Sequence, residues 1–233
     1  MTTIVALAFT VSLFLQYRRR RKIHQILWTF AMLFYGVAAL MEFLMNRDIF
    51  GPSVIAFKIY YVLSAPLVGL LGGGVMYLLT DRRKANFFMA FMGLLSLALL
   101  VTGMLQPLDG ATLAESFEGP LGEAFRQAVH AYPMSVRGYA VVINIFGGMA
   151  LIFGALYSFL RDRRRTYNIF FIVGGILPSI GGSLLGLLGD PNVFFEFETL
   201  GTVALYAGFI YSDRFIQARE ELIKDRLSRT QKE

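Results

Sequence analysis

Charged side chains set inside or at the ends of long apolar runs are the groups best placed to do chemistry here. A charge in a greasy segment is costly and marks a functional candidate by default. Five stand out: Glu42, Lys58, Arg137, Glu196 and Glu198. Glu42 ends one apolar run and Lys58 begins the next, so the two sit at similar depth and are placed to pair. Arg137, Glu196 and Glu198 open later runs that start from the same side. Glu196 and Glu198 are about 200 degrees apart on a helix, so one of them faces a bundle centre, and Glu198 is the deeper. Together these groups form a charged mouth suited to a small ligand or an ion. The competing reading is that all five are interfacial groups reaching for water.

Milder polar groups lie deeper: Ser64, Asn144, Ser179, Ser183, Thr202 and Tyr206. Asn144 calls for a partner on a neighbouring helix or a ligand. Tyr61, with Tyr60 and Tyr139, fits either the site or an interfacial aromatic belt. Pro66 and Pro178 interrupt two runs and are hinge candidates, since proline removes a ladder hydrogen bond. Glycines crowd both, in Gly69-x-x-x-Gly73 and Gly182-x-x-x-Gly186, spacings that also allow tight helix packing.

Several chemistries are missing. There is no cysteine, hence no disulfide, thiolate metal site or thiol nucleophile. The only histidines, His24 and His130, fall on opposite sides, which removes a two-histidine metal site and makes a Ser-His-Asp triad improbable. No phosphate-binding loop or nucleophile elbow occurs. The expectation is a non-enzyme without metal or cofactor. The basic clusters lack interleaved aromatics, so nucleic acid is not an expected partner.

The elements that position these residues follow from composition. Of 233 residues, 56% are hydrophobic and only 16% charged, against about 25% charged in a soluble domain. The surplus apolar surface needs lipid. Seven runs are long enough to cross: Thr2–Tyr17, Ile23–Met45, Val54–Leu79, Phe87–Leu105, Gly138–Leu160, Tyr167–Leu188 and Phe194–Tyr211. Backbone in lipid must bond to itself, so each is expected as a helix. The reading is an all-α, seven-helix membrane bundle. The first run has no positive leader and no cleavage site, which argues for a retained helix.

Loops after runs one, three and five carry twelve Lys or Arg, against three on the other side. That bias puts the N-terminus outside, the C-terminus in the cytoplasm and the chain in the cell membrane as a multi-pass protein. The 106–136 segment is then an outer loop. Its Pro120–Ala131 stretch forms a short amphipathic helix with Leu121, Phe125 and Val129 on one face, as a lid or a packing element. The 212–233 tail reads as a helical extension. Tyr17–Arg21 and Asp162–Arg165 match at an offset of 145, which also superposes Gly36 on Gly181. A 3+1+3 parallel repeat fits this spacing.

The outside N-terminus, basic inner loops and helical tail resemble the seven-helix sensor regions that precede bacterial histidine kinases. The layout is also similar to that of microbial rhodopsins. A retinal protein needs a lysine in its last helix and Phe194–Tyr211 has none, so that likeness stops at the layout. What the resemblance implies is a receptor or sensor-like module. A small-solute transporter and a non-catalytic subunit of a membrane complex are the alternatives. Expected partners are the lipid bilayer, a small-molecule ligand, and a protein or second copy docking through the glycine-rich helices or the 212–233 tail.

Overall fold

The computed structural model describes residues 2–46, 49–117, 121–188 and 196–212, with the side chains of 121–123, 126 and 179–188 outside that description. The 213–233 segment and the side chains of Ser179 and Ser183 lie outside the described residues.

Among the described residues all regular structure is helical. The order is α1 (Thr2–Arg20), α2 (Ile23–Leu44), α3 (Val54–Leu79), α4 (Arg82–Leu105), α5 (Gly110–Ser116), α6 (Leu121–Ala128), a 3-10 turn (Val129–Ala131), α7 (Met134–Arg161) and α8 (Tyr167–Leu188), then α9 over 196–212. Four of these, α2, α3, α4 and α7, are long and apolar enough to cross a membrane. Their outward faces agree with that reading. Along α4, Phe87, Leu94 and Leu105 are 79%, 67% and 77% exposed, and so much bare apolar surface in one stripe is tolerated where lipid covers it.

Helix ends follow from local chemistry. The α1–α2 link is only two residues. Arg21 adopts a left-handed φ of 52°, and Gln25 accepts from the Lys22 backbone N–H at 3.4 Å. That tight turn sets Arg20 and His24 side by side at one end of the bundle. Ser53 caps α3 through the Ala56 N–H. Asp109 caps α5, accepting from the Thr112 hydroxyl at 2.8 Å and from the Thr112 and Ala111 N–H groups at 3.1 and 3.3 Å. α4 begins at Arg82 rather than Phe87, because Arg82, Arg83 and Lys84 continue the helix beyond the apolar run. α3 and α8 run on through Pro66 and Pro178.

α3 is the central element, packed against α2, α4 and α7. Backbones come closest between α3 and α7: a Cβ on Gly147 would lie 2.7 Å from the carbonyl carbon of Val68. The glycines of α3 are spent on internal packing, with Gly69 against Ile143 and Met92, and Gly74 against Trp28. α9 lies beside α1, where Thr2 and Thr199 hydroxyls meet at 2.7 Å and Phe9 stacks near Tyr206 and Phe209.

Two apolar clusters result. One gathers Phe57, Tyr61, Phe117, Phe125 and Tyr132 under the 106–136 loop. α6 sits on it with Ala124, Phe125 and Ala128 buried, so the expected amphipathic helix is docked on α3. The other holds Trp28, Met32, Leu71, Leu151, Phe171 and Leu205 toward the opposite end.

Candidate functional site

A cavity of about 450 Å³ opens between α2, α3, α7, α8 and α9. Its polar wall is made by Tyr35, Tyr60, Ser64, Asn144, Glu198 and Thr202, and Pro178 lies on its α8 side. Helix geometry explains the convergence. Thr202 is one turn after Glu198 on α9. Tyr35 is two turns before Glu42 on α2 and shares its face.

Hydrogen bonds stitch the wall together. The Tyr35 and Thr202 hydroxyls are 2.9 Å apart, and Thr202 Oγ1 is 2.9 Å from the Glu198 carbonyl. Tyr35 also reaches that carbonyl at 3.4 Å. Ser64 donates to the Tyr61 carbonyl at 3.0 Å. The wall is thus largely preset by bonds within and between helices, and Glu198 is one of its lining residues.

Glu42 is 4% exposed, and its Oε1 is buried without a hydrogen-bond partner. It lies within electrostatic reach of Glu198, and both act on Tyr35 and Tyr60. An interfacial group would reach water, and Glu42 does not. Buried carboxyls must be neutral or matched by a positive group. An orphaned acceptor beside a second carboxyl is the kind of unsatisfied group that calls for an explanation.

The expected Glu42–Lys58 pair does not form. Lys58 Nζ instead donates to the Met104 carbonyl at 2.9 Å. Met104 lies in the last turn of α4, where carbonyls lack helical partners and attract cations. Arg137 does not join Glu198 either. Its Nη1 meets His130 Nδ1 at 2.6 Å, and its Nε is buried and unpartnered. Tyr61 stacks on Tyr132 with ring centroids 4.5 Å apart and belongs to the loop-side core. Tyr132 donates to the Gly103 carbonyl at 3.0 Å, and burial pushes its hydroxyl pKa up, so it stays a donor. Tyr206 bonds Ser12 at 3.0 Å and ties α1 to α9. Glu196 is exposed. Pro66 is buried in α3 beside cavity residues Ser64, Leu67 and Val68. Of the residues singled out in sequence, Tyr60, Ser64, Asn144, Pro178, Glu198 and Thr202 share the cavity, with Glu42 in reach of Glu198. Lys58, Tyr61, Arg137 and Tyr206 serve other contacts.

Sequence reasoning passed over Tyr35. The signal was present: a tyrosine seven residues before a buried glutamate falls on the same face.

The far wall is apolar, with Met32, Leu71, Leu151 and Leu205. Beyond it a second cavity of about 390 Å³ opens at the arginine-rich end, where α1, α3, α7 and α9 finish and α2 and α8 begin. Trp28 stands between the two, its Nε1 donating to the Leu71 carbonyl at 3.1 Å and its ring 5.7 Å from Phe171. Among the described residues no group of three or more His, Cys, Asp or Glu is arranged to hold a metal. Comparison with family models, with curated proteins and with solved structures gives no match.

Proposed function

We propose that the chain is a seven-crossing protein of the cell membrane that binds a small cation or amine in the Glu198 cavity and acts as a receptor or sensor-like module. The observation that carries this is a pair of neighbouring glutamates, Glu42 buried with an orphaned carboxyl oxygen and Glu198 half-buried on the wall of a cavity. A cation beside Glu198 would offset its charge and act on Glu42 through the field the two glutamates share, and the tyrosine and threonine hydroxyls would add neutral ligands.

In this reading α1, α8 and α9 cross with the four longer apolar helices. The N-terminus is outside, and the arginine-rich turns lie in the cytoplasm. The convergence of both arginine-rich turns on one cavity supports a common side. The offset of 145 supports the 3+1+3 arrangement, with α4 as the unpaired helix. Occupation of the cavity would bias α8 near Pro178 and α9 near Glu198. A ligand shifts such an equilibrium only by its different affinity for the two states. α9 would pass the change to the 212–233 tail, as the likeness to kinase-linked sensor regions implies.

A second reading, small-solute transport, is favoured by one observation. Two cavities lie in series, parted by the apolar layer around Trp28 and Leu71. Opening that layer would join them.

The test is thermal unfolding of the purified full chain with alkali cations and with short alkylammonium ions. One class should stabilise the protein saturably, by about 2.7 kcal/mol at a hundred times its Kd. Glu198→Gln should abolish the response. Equal shifts in wild type, Glu198→Gln and Glu42→Gln for every ion would overturn the proposal. Flux of the same ion into proteoliposomes would select transport over sensing.

A further inference from the structure

The cavity at the arginine-rich end is separate from the carboxylate site, and its chemistry is opposite. Arg20 comes from the end of α1 and Arg165 from the turn before α8, yet both line it. So do His24 and Asn168, and no aspartate or glutamate is among its described lining residues. The pocket is built rather than incidental. Asn168 is 5% exposed and Gln25 2%. Asn168 Nδ2 donates to Ser158 Oγ at 3.1 Å and to the Arg165 carbonyl at 3.1 Å. Arg165 is steered by Asp162 at 3.3 Å from its Nε and by Ser158 Oγ at 3.4 Å from its Nη1. A guanidinium has five N–H donors, so those two contacts orient it without exhausting it.

The remaining wall is apolar: Trp28, Val75, Leu79, Phe171 and Phe209. A basic rim over an apolar floor matches a molecule with an anionic head and a greasy body. Its volume of about 390 Å³ falls within the usual range of ligand sites. Planar guanidinium groups from two directions suit a phosphoryl group better than a single carboxylate, because each can donate two parallel hydrogen bonds to it. Basic groups at a membrane surface also draw anionic headgroups toward them. We propose that this cavity binds a phosphoryl group, held by Arg20 and Arg165, with Asn168 fixing the Arg165 turn and the apolar floor taking whatever tail the group carries.

The protein supplies its own reporter, since Trp28 lines the cavity and is the only tryptophan. The full chain is placed in phosphatidylcholine vesicles containing acyl-brominated phosphatidylglycerol or, separately, acyl-brominated phosphatidylcholine at equal content. Stronger Trp28 quenching by the anionic lipid supports the site with a lipid headgroup as the source. A saturable change of Trp28 emission by inorganic phosphate in detergent, matched by no equal change with sulfate-free chloride, supports it with free phosphate as the source. Equal quenching by both lipids and no response to phosphate would overturn it in the wild-type protein alone.

Charge-removing variants separate the cavity from the surface. Arg20→Gln with Arg165→Gln should weaken the response about tenfold or more. Arg18→Gln with Arg19→Gln removes the same charge from exposed positions and should change it little. Equal losses in the two pairs would mean general surface attraction and would also overturn the proposal.

Discussion

The hydroxyls of Tyr35 and Thr202 lie 2.9 Å apart and tie α2 to α9 at the wall of the carboxylate cavity. They are 167 residues apart in sequence, so this one contact joins the first and last parts of the bundle. Tyr35→Phe keeps the ring and removes the bond. It should lower stability by about 1 kcal/mol and leave Thr202 bonded to the Glu198 carbonyl. Unfolding of the purified variant measures the loss, and an unchanged midpoint would show that the link contributes nothing.

Gly147 is where α3 and α7 touch backbone to backbone. A Cβ there would meet the Val68 carbonyl carbon at 2.7 Å and the Gly69 nitrogen at 2.8 Å. Neither can turn aside, so Gly147→Ala should cost about 1–3 kcal/mol through forced separation of the helices. Gly93 on α4 has nothing within 4 Å of the same position. Gly93→Ala should gain up to about 1 kcal/mol from helix propensity. Equal effects would contradict the packing described.

Asp109 gives a pH signature outside the membrane-spanning helices. The Thr112 hydroxyl, then the Thr112 and Ala111 N–H groups, stabilise its carboxylate and hold its pKa below the usual value. A lowered folded pKa means that this stabilisation is present above the unfolded value, near 4, and is lost as pH falls through the folded one. Amide exchange at Ala111 and Thr112, corrected for intrinsic pH dependence, should therefore speed up in that acid window. Asp109→Asn should remove the pH dependence. A profile identical in both proteins would refute the cap.

The chain has no cysteine, so single-cysteine variants report topology cleanly. Glu115, Arg83 and Arg164 are exposed. With an impermeant thiol reagent, Glu115→Cys should label on intact cells. Arg83→Cys and Arg164→Cys should label only after permeabilisation. The reverse pattern would invert the orientation, and labelling of all three would break the seven-crossing proposal.

The long apolar helices and the amphipathic α6 segment were legible in residue types and spacing, as were Glu198 and Asn144 as polar groups set into those helices. Partner choice was not. Lys58 and Glu42 have matching depth, but depth does not say which way each helix is turned, and α3 turns Lys58 to the open carbonyl of Met104. In a bundle whose outer and inner faces are both apolar, periodicity loses its power to orient a helix. Tyr61 and Arg137 were absorbed by the loop-side core and by His130 for the same reason. α5 was missed although Asp109 followed by Gly-Ala-Thr112 is a capping signal. Arg20 and Arg165 were read only as topology charges, since nothing in either turn reveals that the other lies across a cavity from it.

Cavity-directed labelling decides whether the Glu198 cavity takes a ligand. Ser64 lines the carboxylate cavity, and Ser64→Cys places a thiol there with almost no change of shape. A small thiol reagent should modify it slowly. The cation or amine that stabilises the protein should protect it, and adding Glu198→Gln should remove that protection. If the thiol reacts at the same rate with and without every such ion, the cavity is not a ligand site.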